Sequence, residues 1–156
     1  MCSNQISPAM TAKSETSYTH VLEEPVRMLV VDDDPIQREF ATVYLTTPSA
    51  EVIAVPTSER ALKRLNKENF DIVLVDFEMP GMDGVELIKA IRAESKFAKL
   101  PIIMITGHES IATIDAAYRA GATSFATKPV NWRLLSYQIK YVMRAHAVLH
   151  AESSNA

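Results

Sequence analysis

The feature that most constrains this chain is the stretch Ile72-Val73-Leu74-Val75-Asp76-Phe77-Glu78-Met79-Pro80-Gly81-Met82-Asp83-Gly84. Its first four residues are apolar and mostly β-branched, without polar alternation. That pattern suits a strand buried on both faces, as in a parallel sheet. The run stops on a carboxylate, Asp76, and Pro80, Gly81 and Gly84 follow within eight residues. Those residues break a strand and allow the chain to turn back. Asp76 is thereby expected at the mouth of a rigid strand, at the sheet edge where open α/β folds bind ligands. One strand-end aspartate is also an ordinary turn residue, so its meaning depends on what the rest of the chain brings to the same edge.

The remaining segments repeat the same grammar. Val26 to Val31 is an apolar run that enters Asp32-Asp33-Asp34-Pro35, where Asp34 and Pro35 read as N-cap and first helical residue. A helix to about Leu45 follows, with Ile36, Phe40, Val43 and Tyr44 at helical spacing. Glu51 to Val55 is a second strand, and Thr57-Ser58 opens a helix with Ala61, Leu62 and Leu65 inward. After the Asp76 strand, Val85, Leu87, Ile88 and Ile91 mark a third helix. Pro101 to Ile105 is a fourth strand ending at Thr106-Gly107. Ser110 starts a fourth helix that Gly121 ends. Ser124 to Thr127 is a short fifth strand before Lys128-Pro129, and Asn131 caps a long last helix. Strands alternating with helices predict right-handed βαβ units and a doubly wound, five-stranded parallel sheet of the flavodoxin-like class, in the order 2-1-3-4-5. Residues 1–25, polar and aperiodic, are expected to be a disordered or loosely attached tail, residues 26–148 the domain, and residues 149–156 a frayed end.

Composition narrows the function. The 156 residues carry a net charge of −3, which argues against a domain that binds nucleic acid through its phosphates. Trp132, Tyr137 and Tyr141 at helical spacing are expected to pack rather than to stack on bases. Cys2 is the single cysteine, so neither an internal disulfide nor a thiolate metal cage is available. The sequence shows neither a membrane-length apolar run nor a secretory leader, and a cytoplasmic location is expected.

If the strand order holds, Asp32, Asp33, Asp76, Thr106 and Lys128 converge on one edge of the sheet. Carboxylates about 5 Å apart repel by about 3 kcal/mol per pair at an effective dielectric of about 20, so the cluster calls for a cation. Hard oxygen donors with open positions suit Mg²⁺, with Mn²⁺ a possible substitute. Lys128 and Thr106 would stabilise phosphoryl oxygens, leaving Asp76 as a nucleophile that forms an acyl phosphate.

These segments together resemble the receiver domain of two-component response regulators. The resemblance rests on Val30-Val31-Asp32-Asp33-Asp34-Pro35, on Val75 to Gly84, on Ile105-Thr106-Gly107, and on Gly121-Ala122 through Lys128-Pro129. It implies that Asp76 accepts a phosphoryl group from a histidine kinase or phosphotransfer protein. It implies that Asp33, Asp76 and the main-chain carbonyl of Glu78 bind Mg²⁺ directly, with Asp32 acting mostly through water. It further implies that Thr106 and Lys128 hold the phosphoryl oxygens, that Phe125 is the switch aromatic, and that Glu78 and His108 tune the lifetime of the acyl phosphate. A cis bond between Lys128 and Pro129 is implied as well. The chain from Lys128 to Ala145 also resembles receivers joined to cyclic-di-GMP synthases or phosphodiesterases, so a missing output domain or a stand-alone receiver are both open.

Such a domain is expected to signal rather than to turn over an external substrate. Two alternatives remain. A phosphatase of the haloacid-dehalogenase type would use Asp32 and Asp34, yet it needs an acidic pair after its lysine, and Glu152 is the one acid beyond Lys128. A receiver that binds partners without phosphorylation would lack part of the acid, acceptor and lysine set. The last helix carries apolar residues on more than one side. The resemblance implies that the fourth helix, fifth strand and last helix form the phosphorylation-sensitive surface, so homodimerisation through residues of about 110–120 and 131–149 is expected.

Overall fold

The computed structural model describes residues 20–108 and 110–154. Its sheet holds β1 (Val26–Val31), β2 (Ala50–Val55), β3 (Ile72–Asp76), β4 (Ile102–Thr106) and β5 (Ser124–Thr127) in the order β2-β1-β3-β4-β5. Every pairing is parallel, which is the expected topology. All five residues of β3 and all five of β4 are buried, as a strand covered on both faces requires. The helices are α1 (Pro35–Leu45), α2 (Ser58–Lys67), α3 (Gly84–Arg92), α4 (Ile111–Ala120) and α5 (Trp132–Ser154), with a 3₁₀ turn at Ser95–Phe97.

Local chemistry sets the helix starts. Asp34, Thr57, Asp83 and Ser110 each accept a backbone N–H of the first turn, and Asp83 with Glu86 forms a reciprocal capping box. Asn131 does the same for α5 by accepting from Leu134 N at 3.0 Å. Gly121 ends α4 at φ +113, a conformation that favours glycine.

Two apolar layers sandwich the sheet. One packs Leu29, Val31, Val73, Val75 and Met104 against α2, α3 and α4; the other packs Met28, Val30, Leu74, Ile103 and Ile105 against α1 and α5. On α5, Leu135, Ile139 and Val142 face the sheet as the spacing predicts, while Leu134, Tyr137, Tyr141 and Val148 are exposed.

Three expectations are corrected. The stripe expected on α1 points outward: Ile36, Phe40, Val43 and Tyr44 are exposed, and Ala41 and Leu45 make the core contact. The small Ala41 lets the helix backbone approach the sheet, so the larger residues are left on the solvent side, where Trp132 stacks on Tyr44 at 5.8 Å between ring centroids. The packed unit also begins before residue 26. Leu22 is buried in the core and its carbonyl accepts the Thr47 hydroxyl at 2.8 Å; most of the expected tail, residues 1–19, lies outside the described residues. At the other end α5 runs through Ser154 instead of fraying from 149, because no proline or glycine interrupts it.

Candidate functional site

The C-terminal ends of β1 and β3 lie side by side, with Val31 level with Val75. The next residues are therefore brought together. Asp32, Asp33 and Asp76 each offer a carboxylate oxygen, and those oxygens lie within 4.8 Å of one another. Asp32 and Asp76 are buried and Asp33 is exposed. From the far side Lys128, which follows β5, reaches in: its Nζ lies 2.8 Å from Asp76 Oδ1 and 3.9 Å from Asp32 Oδ2. The Lys128–Pro129 bond is cis. The cavity so formed has a volume of about 610 Å³ and is also lined by Asp34, Glu78, Met79, Pro80 and Asp83. Three hard oxygen donors in a half-open acidic cavity fit a hard divalent cation such as Mg²⁺.

Electrostatics bear out the crowding. Burial pushes the Asp76 carboxyl up to about 6; the Lys128 hydrogen bond opposes this and the Asp32 charge adds to it. Asp32 is raised as well, chiefly by burial, against the pull of the Asp34 backbone bond and Lys128. Burial alone would lower the Lys128 amine, but its hydrogen bond to Asp76 and the surrounding aspartates leave it raised. A buried carboxylate that is hard to ionise and held against a fixed ammonium is a group poised for chemistry.

Thr106 and Phe125 sit nearby but do not line the cavity. The Thr106 hydroxyl is engaged by its own loop, accepting from His108 N at 2.9 Å. Phe125 is half-buried, edge-on to Tyr118 at 6.1 Å. Glu78 and His108 meet: Glu78 Oε1 contacts His108 Nε2, and the His108 ring lies edge-on to Phe77.

Two features of the site were not anticipated. Arg38, one turn into α1, donates from Nη1 to the Asp32 carbonyl at 2.8 Å, and Asp34 N donates to Asp32 Oδ1 at 2.9 Å. Gly84 is the second: a Cβ there would lie 2.4 Å from the Asp76 carbonyl oxygen. That close approach lets α3 start directly beneath the acid cluster.

The arrangement has relatives among known proteins. Residues 28–140 match the response regulator receiver domain family. The chain belongs to that family. It is 32% identical over 123 residues to the heme response regulator HssR of Staphylococcus aureus, a match covering 79% of this chain and 54% of the relative. The chain thus spans about half the length of the curated relatives it matches. The chemotaxis protein CheY4 of Vibrio cholerae is 30% identical with a TM-score of 0.72, covering 76% of this chain and 98% of that one. NtrX of Brucella abortus is 26% identical with a TM-score of 0.78; there 85% of this chain matches 30% of a longer one. Receiver domains are signalling modules rather than turnover enzymes. Among the described residues, no helix is long and apolar enough to cross a membrane.

Proposed function

We propose that this receiver accepts a phosphoryl group on Asp76 from the phosphohistidine of a sensor histidine kinase or phosphotransfer protein in the cytoplasm. The observation that carries the reading is the 2.8 Å contact between Asp76 and Lys128 at the floor of the acidic cavity. An Asp76 carboxylate oxygen attacks phosphorus, the P–N bond breaks, and the donor histidine leaves with the bonding pair. The product is an acyl phosphate on Asp76. Asp33, Asp76 and the Glu78 carbonyl would hold Mg²⁺, or Mn²⁺ in its place, and Asp32 would hold it through water; a cation so held would supply neutralisation of the negative charge on the carboxylates and phosphoryl oxygens. Lys128 shifts from the free carboxylate to a phosphoryl oxygen. Thr106 redirects the hydroxyl hydrogen it donates to the His108 carbonyl toward another phosphoryl oxygen, and that movement frees space toward which Phe125 turns. Glu78 and His108, in contact over the site, set how readily water reaches the acyl phosphate.

The readout we propose is a homodimer, or an output partner, docking on α4, β5 and α5. Ile111, Tyr118, Leu134, Tyr137 and Tyr141 are exposed there. An output domain beyond this chain is compatible with relatives of which the match covers 54%.

The test is intact mass after incubation with Mg²⁺ and acetyl phosphate. Wild type should gain one phosphoryl group, and Asp76→Asn should gain none. Equal labelling of both proteins would reject Asp76 as the acceptor, and steady hydrolysis of a chromogenic phosphate ester would favour the phosphatase alternative.

A further inference from the structure

A second cleft, of about 510 Å³, lies at the opposite end of the sheet, between the segment leading into β4 and the far half of α5. Pro101, Tyr141, Val142 and Leu149 give it apolar walls, and His146 and His150 share it. The two histidines are four residues apart on one helix, so they lie on the same side, one turn above the other. Their ring centroids are 4.1 Å apart, and Nε2 of one lies 2.7 Å from Nε2 of the other.

Two ring nitrogens at that separation share a single hydrogen, with one donating and the other accepting. Lys99 lines the same cleft beside His146. Partial burial and the facing His150 keep His146 below the usual imidazole range, which leaves it neutral at pH 7.

We propose that His146 and His150 form a two-nitrogen chelating site for a late first-row divalent cation, of which Zn²⁺ is the test case. Imidazole nitrogens suit Zn²⁺, Cu²⁺ and Ni²⁺ and discriminate against Mg²⁺. This is the reverse of the preference of the acidic cavity, so the two sites sort cations by ligand type. A tetrahedral ion with Zn–N bonds of about 2.0–2.1 Å holds its nitrogens roughly 3.3 Å apart, so the rings need to open by ~0.6 Å. Water completes the coordination. As the ion binds, the ring that donates changes tautomer through solvent, so that both Nε2 lone pairs face the metal. The bound ion clips the last turns of α5 together.

The experiment is calorimetric titration of the whole chain with Zn²⁺ in saturating Mg²⁺, which occupies the acidic cavity. One Zn²⁺ per chain is expected. His146→Gln and His150→Gln should each weaken binding by at least about tenfold, whereas Asp76→Asn should leave it unchanged. Histidine ¹⁵N spectra give a second readout, in which Nε2 of both residues should shift. Zn²⁺ binding of equal strength in His150→Gln, no binding in the Mg²⁺-saturated wild type, or shifts confined to His20 and His108 would each overturn the site.

Discussion

Ionising Asp76 should cost the metal-free protein a measurable part of its stability. Its carboxyl is raised from 3.8 to about 6 by burial, with the Asp32 charge adding to the shift. A raised carboxyl fixes the sign. Below about pH 4 the group is protonated in both folded and unfolded chains and costs nothing. Between about pH 4 and pH 6 the unfolded chain loses the proton first, so stability falls; above that the loss is complete. About two pKa units correspond to about 3 kcal/mol. Asp76→Asn keeps the shape and removes the titration. In chelator, the stability of wild type relative to Asp76→Asn should therefore drop by about 3 kcal/mol between pH 4 and pH 7. Urea unfolding of both proteins across that range measures it, and self-referencing to pH 4 cancels any fixed difference between carboxyl and amide. Mg²⁺ at about one hundred times its dissociation constant should restore about 2.7 kcal/mol to wild type at pH 7 and much less to the variant. A difference between the proteins that does not change with pH would refute the account of a carboxylate forced to ionise in a crowded, buried site.

Three further outcomes are expected. Gly84→Ala drives a methyl group against the Asp76 carbonyl oxygen, 2.4 Å away, and should cost about 1–3 kcal/mol by chemical unfolding, whereas Gly107→Ala, which meets nothing within 4 Å, should stay within about 0.5 kcal/mol. Arg38→Met removes the donor to the Asp32 carbonyl and should weaken Mg²⁺ binding about tenfold in calorimetry, with little change in the far-ultraviolet spectrum. Beryllofluoride with Mg²⁺ should shift the chain toward dimer in sedimentation, and Tyr141→Lys should reverse the shift; a monomer under all conditions would assign the exposed α5 face to another partner.

Much of the site was legible because it is built from strand ends. A run such as Ile72–Val75 has one stable use, and the residue after it inherits a fixed place. The same rule located Asp32 and Lys128, which contact one another and Asp76. It did not locate Arg38, whose role depends on the rotation of α1 about its axis. That rotation was also what misled the reading of α1. Helical spacing groups Ile36, Phe40, Val43 and Tyr44 on one face without saying whether that face turns inward, and the small Ala41 decided it. Leu22 escaped for a different reason: a lone apolar residue in a polar segment has no periodicity, and it is buried in a core cluster built from residues distant in the chain, such as Leu45 and Ala50. Thr106 was placed correctly at the end of β4, but its present bond to His108 N could be found only in three dimensions.

The parallel pairing of β1 with β3, in which Met28 sits level with Ile72, carries a consequence for how the protein comes into being. Neighbours in the sheet are separated by whole helices in the chain, so no local segment can assemble the acidic cavity. The aspartates at the ends of β1 and β3 meet only after a long loop has closed, and Lys128 arrives with β5, the strand of this sheet made last. Such non-local contacts form late in folding. A nascent or partly folded chain therefore displays carboxylates without their lysine. The 2.8 Å bond between Lys128 and Asp76 then works as a certificate of completed folding, which a chain still in the making has no means to present.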